Sequence, residues 1–357
     1  VFEEVMQQMT MAVLQKSLAN HFARWWEFER MPWLDWVQVE VTSRCNAACT
    51  YCPRTVYRSN WLNRDLSLDK FERMLPLFAT ARMIHLQGWG EPFLHMGFFE
   101  MVARLKKIGC KVSTTTNGML LDRRKIGMLV ESGIDHIAFS LAGIGERNDT
   151  VRKKTEYRTI FQAITDLAAE KRARQVETPT VNIAFMLIRS YLRDIHGIIP
   201  AFKDHGIEQV VISTLDFIPS KDLREEILAP ADEDMHGELK TLLDGLVREG
   251  ERAGLNIYYR LVSPGKRSRI CTENIERALF VSADGTISPC VFANISASRI
   301  SHMAGEREKV YQRLTFGNAT DEAIVAIWQS NGYASFRASF DSKLHPICQG
   351  CPKLYEV

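Results

Sequence analysis

Eight cysteines account for most of the chemistry that this 357-residue sequence offers. Three of them, Cys45, Cys49 and Cys52, stand in the run CNAACTYC with the spacing CxxxCxxC. The first charged residues of the chain are acidic and no basic region or cleavage site follows them, so we expect no signal peptide and a cytoplasmic protein. In a long chain without an export signal, closely spaced cysteines favour metal binding or redox chemistry over disulfides.

The first three cysteines are the right number for a four-iron cluster with one open iron. Iron–sulfur clusters prefer thiolate ligands, and three thiolates leave one iron free to bind a substrate or cosubstrate. A chance cluster or a zinc site is the alternative, but zinc takes four ligands, and no histidine or further cysteine stands nearby in the sequence. The spacing therefore predicts an iron–sulfur site that is open to a small molecule.

Alternating strand and helix patterns must position this site. Six strand-like segments alternate with helical ones, at 36–41, 82–88, 111–118, 136–143, 180–188 and 209–218. Such repeats predict parallel βαβ units, and six units are too few for the eight of a complete barrel. We therefore predict an α/β fold with a partial (β/α)6 barrel, whose ligand site lies at the carboxyl ends of the strands. The first cysteines follow the first strand and so fall at that end.

The cysteine run and the ends of the next strands together resemble the signature of the radical S-adenosylmethionine (SAM) superfamily. GWGEP (88–92) follows the second predicted strand and TNG (116–118) ends the third. The resemblance implies that the open iron of a [4Fe-4S] cluster binds SAM. An electron then cleaves SAM to methionine and a 5′-deoxyadenosyl radical, which abstracts hydrogen from an unactivated carbon. The SAM contacts that the resemblance implies are Tyr51 near the adenine, Gly88 and Gly90 at the methionine part, Glu91 as acceptor for the ammonium group, Asn117 in the TNG motif, Ser140, and Arg152 at the SAM carboxylate. For Arg152 the alternative is a solvated helix charge.

Four later cysteines form a second group. Cys271 and Cys290 flank a predicted hairpin with an Asp-Gly turn, and Cys348 and Cys351 form a CxxC. Gly285 in that turn gives a GxxxxC element, and FGNATDEAIVAIWQS resembles the stretch before the last cysteines of SPASM and twitch domains. No further cysteine follows, so the resemblance implies one fully ligated [4Fe-4S] cluster of the twitch kind, and two clusters in all. A four-thiolate zinc site is the alternative.

The pattern divides the chain into four parts: an N-terminal helical segment (1–34), the partial barrel (35–218), a helical linker (219–265) and a small α+β auxiliary-cluster domain (266–357). Lys and Arg number 45 and Asp and Glu 43, a net charge of +2. That balance gives no electrostatic reason to expect nucleic acid or an anionic membrane as a partner. No apolar run approaches the ~18 residues of a membrane span.

Electron transfer is the expected task of a fully ligated second cluster, because it has no open iron for a substrate. Twitch relatives are thought to oxidise a cyclitol hydroxyl group in this way. By resemblance we expect dehydrogenation of a small polar molecule, with the second cluster as electron acceptor. A flavodoxin or ferredoxin is the expected reductant. Asp216, at the end of the sixth predicted strand, is the candidate proton acceptor, and a turn or helix-capping role is its alternative.

Other functions stay open. One is the maturation of a peptide, a protein or a metal cofactor. Another is radical epimerisation with Cys110 as hydrogen donor, although a buried inert thiol is the plainer interpretation of that cysteine. A third, from a different class, is a non-catalytic iron–sulfur electron carrier, which would not need Glu91 or Ser140.

Overall fold

A nine-stranded sheet is the central feature of the computed structural model, which describes residues 33–228, 232–263, 268, 270–298, 300–304 and 307–354. The amphipathic helix predicted up to about residue 30 lies outside these residues. In chain order the strands are β1 (Leu34–Val39), β2 (Ala48–Cys49), β3 (Ala81–Leu86), β4 (Lys111–Thr116), β5 (His136–Leu141), β6 (Arg152–Lys153), β7 (Thr180–Leu187), β8 (Gln209–Thr214), β9 (Asn256–Tyr259), β10 (Ala278–Val281), β11 (Ile287–Ser288), β12 (Ser301–Ala304) and β13 (Arg307–Val310).

The sheet has the order β11-β10-β1-β3-β4-β5-β7-β8-β9. Every neighbouring pair is parallel except β10 and β11, which are antiparallel at one edge. Strands β1, β3, β4, β5, β7 and β8 are the six predicted strands, so the parallel α/β fold is confirmed. β10 beside β1 and β9 beside β8 extend the parallel part of the sheet beyond those six.

The two additional strands come from the second half of the chain. β9 lies in the segment 219–265, which the sequence pattern assigned to a helical linker, and only Ile257 of its four residues is buried. So short a strand gives no period-two signal. We propose that this segment closes the barrel edge as well as linking the domains. β10 and β11 form the predicted hairpin, and Gly285 occupies its turn at a φ of +89°. The pairing of β10 with β1 was not predicted.

Helices and short 3-10 turns connect the strands. The α-helices of the described residues are α1 (Pro53–Val56), α2 (Leu68–Arg73), α3 (Leu75–Phe78), α4 (Phe98–Lys107), α5 (Arg123–Glu131), α6 (Glu146–Val151), α7 (Tyr157–Arg174), α8 (Ile198–Phe202), α9 (Glu233–Arg252), α10 (Ile324–Gln329) and α11 (Asn331–Ala338). The 3-10 helices are Arg58–Asn60, Pro92–Leu94, Arg189–Gly197, Lys221–Glu226, Val291–Ala293, Pro346–Cys348 and Pro352–Leu354. Among the described residues, no helix is both long and apolar enough to cross a membrane.

Local sequence explains where these helices begin and which face they bury. The Asp122 carboxylate accepts a hydrogen bond from the Lys125 amide and so begins α5, and Asp232 accepts from Met235 at the start of α9. α4 buries an apolar stripe at helical spacing, Phe98, Met101, Val102 and Leu105. Burying such side chains stabilises the fold by roughly 1.5–3 kcal/mol each.

The two faces of the sheet differ in polarity. In β5, Ile137, Phe139 and Leu141 are buried in the apolar core beneath the helices, while Ser140 points to the opposite, inner face. Polar side chains line that inner face elsewhere too, as in β3 and β4, where His85 Nδ1 lies 2.8 Å from Ser113 Oγ. The inner face is therefore polar, and the loops at the carboxyl ends of the strands surround its mouth.

Candidate active site

The loop with the first three cysteines follows β1 and is held by a short antiparallel bridge. β2 pairs with β6, which places Cys49 opposite Arg152, and the Thr50 amide donates to the Val151 carbonyl at 2.9 Å. The same loop contacts the start of the GWGEP segment, since the Glu91 amide donates to the Arg44 carbonyl at 2.7 Å. The CxxxCxxC loop thus packs against two of the strand ends expected to bind SAM.

The thiols of this loop lie within electrostatic range of one another. Burial, followed by the charge of Glu91, raises the pKa of Cys45 to about 11, and burial, followed by the charge of Cys49, raises that of Cys52 to about 12. Three such thiolates, one buried and two partly buried, therefore need a positively charged group between them, which the irons of a cluster supply.

The thiols of the described residues do not converge on the position of a single metal ion. No group of three or more His, Cys, Asp or Glu side chains in the described part of the chain is placed to hold a metal ion. One zinc ion draws four donors to about 2.3 Å, whereas each thiolate of a four-iron cluster binds a different iron, so that the sulfurs stand further apart. All eight cysteines, each within the described residues, are free thiols. We propose Cys45, Cys49 and Cys52 as ligands of the SAM-binding cluster.

Glu91 is the buried carboxylate of this site. Its Oε1 accepts from the Thr116 hydroxyl at 2.7 Å, and its Oε2 accepts from the Asn117 amide at 2.7 Å. Asn117 in turn donates from Nδ2 to Asn46 Oδ1 at 2.8 Å and approaches Cys45 Sγ at 3.7 Å. Burial raises the pKa of Glu91. A carboxylate oxygen accepts more than one hydrogen bond, so Oε2 keeps a lone pair for the SAM ammonium group, as we propose.

The glycines of GWGEP make a close packing contact with the chain just after β1. A Cβ on Gly88 would lie 2.4 Å from Glu40 Cβ, and one on Gly90 would lie 2.0 Å from the Thr42 carbonyl oxygen. Both glycines therefore let this loop approach the chain just after β1, and their contact with the methionine part of SAM stays a prediction. This close approach brings Glu91 next to the cysteine loop.

Tyr51 lies in the same loop, and Arg152 lies opposite Cys49 of that loop. The Arg152 guanidinium donates to Tyr51 Oη at 2.6 Å, and its buried Nε has no hydrogen-bond partner among the described residues. Burial alone lowers the pKa of Arg152, but the Cys49 thiol and Tyr51 raise it above its usual value. A solvated helix charge, the alternative considered for Arg152, does not fit its burial. Ser140 lies one residue before the end of β5, opposite Ala184 of β7. We propose all three as SAM contacts.

The second group of cysteines also comes together. Burial, with a contribution from Cys351, raises the pKa of Cys271 to about 11, and burial, followed by the charges of Cys351 and Cys271, raises that of Cys348 to about 12. Burial, followed by the charges of Glu273, Cys351 and Cys271, holds the pKa of Cys290 well above its usual value. These partly buried thiols have the same need for a positively charged group as the first three, and we propose the four as ligands of the auxiliary cluster.

Asp216 ties this second group to the barrel. Its carboxylate lies just after β8 and pairs with Lys353 Nζ at 2.9 Å and more distantly with Arg260 at 3.9 Å. Lys353 also pairs with Glu273 at 3.1 Å, and the Arg260 guanidinium donates to the Pro352 carbonyl at 2.7 Å. Asp216 is thus at the predicted strand end but held by two cations. We propose an anchoring role for it instead of proton acceptance.

Cys110 lies far from both groups. It precedes β4 at the amino end of that strand, while Asn117 follows the carboxyl end, and six strand residues span roughly 20 Å. Its buried thiol donates to the Phe78 carbonyl at 3.2 Å. The epimerase interpretation, with this thiol as hydrogen donor, is therefore not supported by its position, and the inert buried thiol is.

An aromatic wall, formed by Trp89, Phe217 and Phe292, joins the two cysteine groups, and the sequence analysis missed it. The ring of Trp89, from GWGEP, lies 5.9 Å from that of Phe292, two residues after Cys290, and 6.5 Å from that of Phe217, next to Asp216. The Trp89 indole also donates to the Asn294 carbonyl at 3.2 Å. An unusual tryptophan between the two glycines was the one signal in the sequence.

Glu40 is the second missed residue. It is fully buried just after β1. Its carboxylate accepts hydrogen bonds from the Trp89 amide at 2.9 Å, and from the Ala283 amide and the Ser296 hydroxyl at 3.3 Å each. Burial raises its pKa to about 7. The first half of the chain, with the SAM loop, and the C-terminal half thus share one buried acid.

Comparison with known proteins identifies the two domains. The model of the radical SAM superfamily matches residues 39–199, and that of the SPASM iron–sulfur cluster-binding domain matches residues 271–352. A tungsten-containing aldehyde ferredoxin oxidoreductase cofactor-modifying protein of Pyrococcus furiosus is 24% identical over 338 residues, 89% of this chain and 87% of the relative. A PqqA peptide cyclase of Xanthomonas oryzae pv. oryzae is 23% identical over 323 residues, 89% of this chain and 80% of the relative. The structure of Streptococcus suis SuiB bound to S-adenosylmethionine superposes with a TM-score of 0.65 at 14% identity, covering 95% of this chain and 76% of SuiB, and shares the fold.

The chain is therefore a radical SAM enzyme with a C-terminal SPASM-type iron–sulfur domain. The cofactors of this class are SAM, the [4Fe-4S] cluster that binds it, and auxiliary iron–sulfur chemistry in the SPASM domain, as the sequence predicted. When bound, the first cluster supplies the electron that cleaves SAM. We propose that the protein residues described above hold and orient these groups.

Proposed function

We propose that this enzyme dehydrogenates a small polar molecule at a carbon next to a hydroxyl group. In this reaction the substrate loses one hydrogen atom to the 5′-deoxyadenosyl radical, one proton to solvent and one electron to the auxiliary cluster. A CH–OH group thereby becomes a carbonyl group. A reduced flavodoxin or ferredoxin, in a cytoplasmic setting, would supply the electron that starts each turnover.

One observation is the main support for this proposal: the two cysteine groups border the same mouth of the barrel. The first follows β1, and the second reaches the end of β8 through the pair between Lys353 and Asp216. The Trp89–Phe292 contact joins their two loops. A substrate radical formed at this mouth would lie between the site of hydrogen abstraction and an electron acceptor.

A second candidate is the modification of a cofactor or a peptide. The names of the two relatives favour it, since one modifies the cofactor of a tungsten enzyme and the other cyclises a peptide. Both match most of this chain, but at 23–24% identity they do not fix its substrate. The two candidates share the radical chemistry and differ in the size and class of the substrate.

The test is anaerobic turnover with SAM and dithionite, using low-molecular-mass and peptide fractions of the host extract as separate substrates. We expect the low-mass fraction to increase 5′-deoxyadenosine release and to yield a product two hydrogens lighter. Stimulation by the peptide fraction alone would support the second candidate. A product of unchanged mass would contradict dehydrogenation, and a protein that releases no 5′-deoxyadenosine would be an electron carrier.

The variant Cys348→Ala with Cys351→Ala tests the electron-acceptor step separately. SAM cleavage should continue, because the first cysteine loop is intact, while the oxidised product should fall much further. Loss of a metal can unfold a small domain, so the variant must first show a cooperative melt and the spectrum of the first cluster. A folded variant that makes product at the wild-type rate would show that the auxiliary cluster is not the acceptor.

A further inference from the structure

Tyr333 is a fully buried tyrosine in α11, beside the second cysteine group. Its ring stacks on Phe316 with centroids 4.2 Å apart and an angle of 12°, and it meets Trp328 edge-on at 5.1 Å. The Arg337 guanidinium lies 4.7 Å from the ring centroid on another side. Aromatic packing and a cation therefore fix the position of the ring, and a phenylalanine would make the same contacts.

The hydroxyl group of Tyr333 has no explanation in this packing. It is buried and has no hydrogen-bond partner among the described residues. A buried polar atom without a partner costs about 1–3 kcal/mol, and such atoms are rare in folded proteins. A tyrosine at this position therefore suggests an acceptor that the polypeptide itself does not provide.

The neighbours of the ring indicate where that acceptor lies, since Phe316, on which Tyr333 stacks, donates from its amide to the carbonyl of Ile287, three residues before Cys290, at 2.9 Å. Burial raises the pKa of Tyr333 above its usual value, Arg337 opposes this effect, and the charge of Cys290 adds to it. The hydroxyl thus lies within electrostatic range of the Cys290 thiol but makes no hydrogen bond to its sulfur. The sulfides of a cluster bound by Cys290 extend beyond that thiolate and are hydrogen-bond acceptors.

We infer that the Tyr333 hydroxyl donates a hydrogen bond to a sulfur atom of the auxiliary cluster and raises its reduction potential. A donor to a cluster sulfur stabilises the more negative, reduced state over the oxidised state. This inference requires only the auxiliary cluster and is independent of the proposed substrate. A cluster made easier to reduce is a better acceptor for an electron from a substrate radical, whichever substrate that is.

Tyr311 offers a matched control. Tyr311 is also buried, and the charge of Cys290 contributes to its raised pKa after the larger effect of burial. Its hydroxyl group, however, both donates and accepts a hydrogen bond. It donates to the Phe292 carbonyl at 3.0 Å and accepts from the Ile295 amide at 2.9 Å. Tyr311→Phe therefore removes a hydroxyl group that hydrogen-bonds to the polypeptide. Tyr333→Phe removes a hydroxyl group from the same neighbourhood that has no such partner among the described residues.

The experiment is a redox titration of the reconstituted holoenzyme, monitored by electron paramagnetic resonance. The signal to monitor is that of the auxiliary cluster, which the addition of SAM leaves unchanged. For Tyr333→Phe we expect the ratio of reduced to oxidised auxiliary cluster at a fixed potential to fall by up to about tenfold. For a one-electron couple this equals a midpoint potential lower by up to ~59 mV. The variant should still melt cooperatively, because a phenylalanine keeps the aromatic contacts of the ring. Tyr311→Phe should melt earlier and keep the midpoint, because it orphans two backbone groups.

A wild-type midpoint in a fully loaded Tyr333→Phe protein would overturn the inference. Should that variant fail to load the second cluster, Tyr333→3-fluorotyrosine keeps the hydroxyl and adds a fluorine beside it. In that protein we expect a fluorine hyperfine coupling to the reduced auxiliary cluster. Its absence would also overturn the inference, since it would place the ring away from the cluster.

Discussion

Replacing Gly90 by alanine should separate the SAM-binding loop from the cysteine loop. The new Cβ would stand 2.0 Å from the Thr42 carbonyl oxygen and 2.7 Å from that of Arg44, both backbone atoms that cannot rotate away. A normal contact needs more than 3 Å, so one loop must move by roughly 1 Å, at an overpacking cost of about 1–3 kcal/mol. The hydrogen bond from the Glu91 amide to the Arg44 carbonyl, 2.7 Å long, would be broken or stretched by that movement.

The expected result is a folded protein whose SAM cleavage is slowed about 100-fold, because a displacement of this size at a reacting site costs that much. The assay measures 5′-deoxyadenosine release together with iron content and thermal melting. Gly237→Ala is the control, since no atom lies within 4 Å of its new Cβ and alanine favours the helix interior by about 1 kcal/mol. If Gly90→Ala cleaved SAM at the wild-type rate with full iron content, the packing argument for this glycine would be wrong.

Three further predictions concern the clusters, the SAM contact and a buried acid. Replacing Cys45, Cys49 and Cys52 by alanine should roughly halve the iron content of reconstituted protein from about eight atoms; four irons plus one zinc in the wild type would contradict an auxiliary cluster. Glu91→Ala should retain both clusters but weaken SAM binding, seen as loss of the spectral change that SAM induces; an unchanged response argues against the ammonium contact. Because burial raises the pKa of Glu40 to about 7, the free energy of unfolding of the wild type should fall by up to about 3 kcal/mol as pH rises from about 5 to 8. Glu40→Gln should lack this decrease, and the same pH dependence of melting in the two proteins would refute the prediction.

The sign of the Glu40 effect follows from linkage. A carboxyl group whose pKa is higher in the folded than in the unfolded protein stabilises the fold fully below its unfolded pKa, and this contribution is lost as pH rises through the folded value. Asp284, whose charge also raises the pKa of Glu40, is itself held ionised by Arg313 and by hydroxyl donors, so it does not titrate in this range. Burial also raises the pKa of Glu91, which gives a loss of the same sign, so the part due to Glu40 is the difference between the wild type and Glu40→Gln.

The sequence predicted those parts of the site that come from single loops. The CxxxCxxC run, Glu91 and Asn117 each follow a strand directly, and parallel strands bring their carboxyl ends together, so spacing and strand order were sufficient. The aromatic wall and the Asp216–Lys353 pair were not predictable in this way. Each joins side chains that are remote in sequence, and no local pattern encodes which remote residues meet. Asp216 shows the consequence, since its strand-end position was predicted correctly while its partners changed its interpretation.

The same limit applies to the way the two halves of the molecule are held together. A buried, ionised carboxylate is costly unless several donors face it. Glu40 finds one donor in the SAM loop, at Trp89, and two in the C-terminal half, at Ala283 and Ser296. Moving either half away would leave the acid with fewer hydrogen-bond partners, and the cost of an unpartnered buried carboxyl group, neutral or ionised, opposes such a movement. Glu40 thus helps to fix the position of the SAM loop relative to the auxiliary domain, together with the Trp89–Phe292 contact and the Asp216–Lys353 pair, although its local sequence context, a glutamate ending a strand, gives no sign of that task.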